Sequence, residues 1–81
     1  MQKKLSEKTI RMKKRQALKF NGVYFDRSSL KFKTKVLVNG TMLYAGYHRN
    51  AVDAAKAINE ELILSLGRKE AMSSPKWNVI D

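Results

Sequence analysis

Between Lys31 and Val38 the chain alternates strictly. Phe32, Thr34, Val36 and Val38 occupy one phase, while Lys31, Lys33, Lys35 and Leu37 occupy the other. A period of two predicts a strand with one row in a core and a lysine row on the opposite face. Upstream, Val23, Tyr24 and Phe25 are good strand formers, and Asp26-Arg27-Ser28-Ser29 supplies polar turn chemistry. Downstream, Asn39-Gly40 is a strong hairpin signal, because a type I′ turn needs positive φ at both central residues. Thr41 to Tyr47 then reads as the returning strand. The segment from Gly22 to Tyr47 is expected to form an antiparallel three-stranded meander, with Phe25 and Phe32 in the core.

Beyond Asn50 the period changes. Val52, Ala55, Ile58, Leu62 and Leu66 recur at helical spacing, flanked by Ala51, Ala54 and Ile63. Asn50 suits the N-cap, and Asp53 in the first turn complements the helix dipole. The alanines at the start of this stripe let the helix approach a sheet closely. Gly67 is the expected C′ residue, with Arg68 and Lys69 beside the negative end. A polar tail then leads to Ser73-Ser74-Pro75, where proline forbids further helix. Trp77 and Val79 are expected to fold back onto the core.

At the other end, Leu5 before a Ser6 cap, with Ile10 following, fits a hydrophobic staple. Lys13 and Lys14 interrupt the apolar stripe one turn later. Residues 1–20 therefore read as a basic arm or short helix that orders on a partner. The fold class is α+β: a three-stranded antiparallel sheet packed on one helix in the C-terminal half. The arm spans 1–20 and the domain 21–81.

At 81 residues the chain has room for one small core. Its formal charge is +10, from 17 Lys and Arg against 7 Asp and Glu. Such a field attracts polyanions, whether nucleic acid, anionic membrane or an acidic protein surface. Residues 1–20 hold eight of the basic residues against Glu7 alone. The absence of cysteine excludes disulfides and thiolate zinc sites. No export signal follows Met1 and no apolar run approaches membrane-spanning length, so the expected compartment is cytoplasmic. No cysteine nucleophile, histidine pair, phosphate-cradling glycine loop or carboxylate cluster is present. A non-catalytic protein without metal or cofactor is expected. His48 reads as a loop hydrogen-bonder and Trp77 as a core cover.

The ordered set Gly22-Val23, Phe25, Lys31-Phe32, Val36, Asn39-Gly40, Gly46-Tyr47 and Ala54-Ala55-Lys56-Ala57 resembles the AP2 DNA-binding domain. The form it is similar to occurs in phage and bacterial homing endonucleases and integrase-like proteins. The resemblance covers about Phe20 to Asn78, and Lys76-Trp77-Asn78-Val79 looks like a variant of the family's closing Leu-Asn-Phe segment. It implies a phage or bacterial regulator that lays its sheet in the major groove of double-stranded DNA. The implied contact face comprises Tyr24 and Asp26, then Lys31, Lys33, Lys35 and Leu37, then Met42 and Tyr44. Arg27 at a loop end and Arg11, Lys13, Lys14 and Arg15 in the arm are candidate phosphate contacts.

The sequence departs from plant-type members, which carry arginines where this chain has Tyr24, Asp26, Leu37 and Met42, and tryptophan where it has Tyr44. Arginine forks to guanine are the commonest specific base contact, and lysines orient less well. An alternative follows from Leu37 and Met42: a small phage-encoded inhibitor or adaptor that binds a protein partner. RNA is a third candidate partner, without a recognised RNA motif.

Overall fold

A computed structural model describes residues 5–80. Ser6 caps helix α1 (Glu7–Ala17), its hydroxyl accepting the Thr9 N–H at 3.1 Å. One side of α1 presents Ile10, Lys13 and Ala17, at the spacing of a helix face. Ile10 and Ala17 are buried, and the Lys13 Nζ lies 5.7 Å from the centroid of the Phe32 ring. The stripe expected to fail at Lys13 therefore continues through it, because a lysine stem covers apolar surface while its ammonium meets the ring face. Ala17 belongs to the main core, so α1 is a packed helix rather than a free arm. Lys3 and Lys4 of the expected arm lie outside the described residues.

Strands β1 (Val23–Asp26), β2 (Lys31–Thr34) and β5 (Tyr47–His48) form an antiparallel sheet in the order β1-β2-β5. Strands β3 (Val36–Val38) and β4 (Thr41–Leu43) form a hairpin. Asn39 and Gly40 turn it at φ 49° and 79°, as a type I′ turn demands. The long second and third strands read from the sequence are thus each interrupted, at Lys35 and at residues 44–46.

Register explains the interruption. Lys33 pairs with Tyr47 and Val36 with Leu43, so two residues of the outgoing strand face three of the returning one. That single extra residue is a β-bulge. Thr34 fills it from below: its buried hydroxyl donates to the Gly46 carbonyl at 2.9 Å and accepts the Ala45 N–H at 2.6 Å. His48 Nε2 donates to the Ala45 carbonyl at 2.6 Å, the loop role expected of it. Lys35, just past the end of β2, gives its N–H to the Gly22 carbonyl at 2.9 Å, one step further along the β1–β2 register. Gly22 has φ 74°, and a Cβ there would stand 2.9 Å from the Lys35 carbonyl oxygen, so the approach needs glycine.

Helix α2 (Ala51–Leu66) covers the other side of β2, with Phe32, Ile58 and Leu62 fully buried between them. Each such side chain stabilises the fold by about 1.5–3 kcal/mol. Asn50 caps α2 by accepting the Asp53 N–H at 2.8 Å. The buried side is Ala51, Ala54, Ala55, Ile58, Asn59 and Leu62. Val52, expected inside, is 39% exposed. Three alanines turn the helix's thinnest side to the sheet, and Val52 falls one residue away from it.

Two expectations for the C-terminal segment are corrected. Helix α3 (Arg68–Ser73) replaces the polar tail after Gly67, with Ala71 buried against the core. Trp77 packs on the core as expected, but Val79 is 80% exposed and Asn78 is buried in its place. The reason is an amide clasp. Asn78 accepts the Asn21 N–H at 2.6 Å and donates to the Asn21 carbonyl at 3.1 Å. Asn59 treats the Asn78 backbone the same way, at 2.8 and 2.9 Å. Side-chain amides thus replace a strand ladder and satisfy backbone groups that burial would otherwise leave unpaired.

Candidate nucleic-acid interface

The face of the sheet opposite α2 carries the lysine row. Lys31, Lys33 and Lys35 are all exposed, while Phe32, Thr34, Val36 and Val38 are buried, as the alternation predicts. Alternate residues of a strand stand roughly 7 Å apart along the backbone, so the three lysines leave it at regular intervals. Among the described residues none of the three makes an ion pair.

Cross-strand register adds aromatics to this row. Lys33 lies opposite Tyr24 on β1 and opposite Tyr47 on β5, and directly paired residues share a face. Tyr24 is 49% exposed and Tyr47 58%. The result is a Tyr24–Lys33–Tyr47 line across the sheet, a lysine paired on either side with a tyrosine. Tyr47 is absent from the face inferred by counting forward from Met42 in steps of two. The bulge reverses the phase, and the isolated Gly46 within the strand pattern was its signal. Tyr44, also exposed, sits in the bulged segment itself rather than in a ladder pair.

Past Lys35 the row changes character. Leu37 pairs with Met42 in the hairpin, half-exposed beside it. At its opposite end Lys31 pairs with Asp26. The Asp26 carboxylate accepts the Ser29 hydroxyl at 2.7 Å and the Ser28 hydroxyl at 3.0 Å. The Ser29 bond chiefly holds its carboxyl below the ordinary range, with Ser28 and the charge of Lys33 adding to it and desolvation opposing it. Asp26 therefore organises the β1–β2 turn. Arg27, next in the chain, makes an exposed ion pair with Glu7 at 2.8 Å, between that turn and the start of α1.

The basic residues of α1 divide. Lys13 is spent on Phe32. Arg11, Lys14 and Arg15 are exposed, and Lys8, Arg11 and Arg15 recur at the spacing of one helix side. The end of α1 meets the sheet where Leu18 borders a concavity of about 660 Å³ shared with Tyr24, Lys33 and Leu37. Among the described residues there is no cluster of three metal-ligating side chains, and no helix is long and apolar enough to cross a membrane.

No family model, curated protein or solved structure matches the chain. The resemblance to AP2 domains rests on the sequence residues named above alone, and the candidate interface is read from the chain's own geometry.

Proposed function

We propose that the chain is a non-catalytic DNA-binding protein that applies its lysine face to a duplex, in the manner of the AP2 domains it resembles. The observation that carries this reading is the Tyr24–Lys33–Tyr47 line crossing a row of three exposed lysines that form no ion pair among the described residues. Like charges lined up on one strand repel, and a polyanion relieves that repulsion. Lys31, Lys33 and Lys35 neutralise phosphates, and the two tyrosines lie against sugars or base edges. Arg11, Lys14 and Arg15 hold flanking backbone from α1.

None of the five strands carries an arginine. Base selection is therefore weak, since the commonest base-specific contact is the arginine fork. Most of the binding free energy comes from released counterions. Duplex affinity measured against salt is the test. Neutralising about five phosphates gives a log–log slope near −4.5. A flat salt response, or no binding at physiological salt, overturns the assignment.

A second reading keeps a protein partner in play, because Leu37 is 52% exposed beside Met42 on the hairpin. Binding through that apolar pair survives salt that strips nucleic acid, so the same titration separates the two.

A further inference from the structure

We propose that the concavity beside the lysine face receives an unpaired nucleotide of the bound DNA. This rests on the DNA-binding reading above and adds a ligand class to it. The hollow is about 660 Å³ and opens where the end of α1, the first strand and the β3–β4 hairpin converge. Leu18, Leu37 and Met42 give it apolar walls, and the half-exposed Tyr24 adds a ring. Lys33 and Lys35 reach it from the sheet, and Lys76 from the C-terminal segment.

Charge complementarity selects the occupant. Three amines and no carboxylate appear among the described residues that line the hollow. That calls for an anion, yet a free phosphate would leave the apolar walls and the tyrosine wet. A duplex is far too wide to enter such a space. A single nucleotide matches both halves of the surface: its base against Tyr24 and the apolar walls, its phosphates among the lysines. Because Tyr24, Lys33 and Lys35 belong to both the hollow and the sheet face, one DNA molecule can span them. Its paired part lies on the sheet and its unpaired part enters the hollow. Duplex ends, gaps or bulges are therefore preferred to uninterrupted helix.

The test compares three DNAs with the full chain: a blunt duplex, the duplex with a short single-stranded thymine extension, and the duplex with an abasic extension of equal charge. The expected result is about tenfold tighter binding with thymine than with the abasic extension, the increment typical of one stacked base. A 2-aminopurine placed first in the extension should change fluorescence on binding. Lys76→Ala should weaken the extended DNA about fivefold while leaving the blunt duplex within about twofold, as loss of one phosphate contact implies. Equal affinity for thymine and abasic extensions, with the blunt duplex still bound at the expected salt slope, overturns the hollow and leaves the DNA reading standing. Failure of all three DNAs to bind overturns both.

Discussion

Helix α1 and the lysine row that runs along β2 to Lys35 are both densely basic, yet part of the helix's charge is tied into the fold and the row's is not. On α1, Lys13 lies over Phe32, and Lys14 and Arg15 occupy the last turn, where cations complement the helix dipole. Glu7 at its start makes an exposed ion pair with Arg27 of the neighbouring turn. These charges have structural employment. Lys31, Lys33 and Lys35 form no ion pair among the described residues and gain nothing from one another's company. Charge density alone would rank α1 first as the binding element. Charge without a structural task ranks the row first, and that is the more discriminating criterion.

The hardest blow to the comparison falls at Gly22, which joins the two regions. An alanine there faces the Lys35 carbonyl at 2.9 Å with φ at 74°. Left-handed strain plus overpacking should cost about 3 kcal/mol in urea unfolding. It should also disturb Lys35, whose N–H is held by Gly22. A loss below about 1 kcal/mol would mean that α1 and the sheet are joined more loosely than described.

Next in size is the replacement of Lys31, Lys33 and Lys35 together by alanine. Duplex affinity should fall about a hundredfold at physiological salt, and the salt slope should flatten by about 2.7. The unfolding midpoint should hold or rise, since like charges are removed from one strand. Arg11, Lys14 and Arg15 replaced together should cost only about tenfold, as flanking phosphate contacts. Equal losses from the two triples would erase the distinction between helix and row.

A smaller contrast lies within α1. Lys13→Ala should lower stability by about 1 kcal/mol through the uncovered Phe32 ring, while Lys14→Ala, one residue on, should change it by less than half that. Thermal unfolding of the two variants side by side decides it. If they match, Lys13 has no structural task, and α1 reverts to a plain basic helix.

These contrasts also show how far the sequence could be read. Strict alternation exposed the two faces of β2 and β3, and Asn39-Gly40 and Asn50 marked a turn and a cap, because each rests on local backbone chemistry. The bulge was not legible by period counting, since one extra residue reverses the phase and only Gly46 hints at it. Tyr47 was lost from the candidate face for that reason. The Asn21–Asn59–Asn78 clasp was hidden because its members are far apart in the chain and each resembles an ordinary polar surface residue. Lys13 was misjudged as a break in a stripe because a lysine counts as polar until the ring beneath its stem is known.

Asp26 gives the finest test, because it probes whether Lys33 is truly free of structural work. Its carboxyl is lowered from 3.8 in the folded chain, first by the Ser29 hydroxyl and only in a lesser part by Lys33. A carboxyl depressed on folding adds stability that is complete above its unfolded value and disappears as pH falls through the folded one. The advantage of the native chain over Asp26→Asn should therefore hold at pH 6 and shrink below about pH 4. Because serine hydroxyls dominate the lowering, the same shrinkage should survive in a Lys33→Ala background. If Lys33→Ala instead abolishes it, the charge of Lys33 is holding the β1–β2 turn. The row would then contain a structural lysine after all, and its central position, paired with Tyr24 and Tyr47, would owe as much to Asp26 as to the proposed DNA contact.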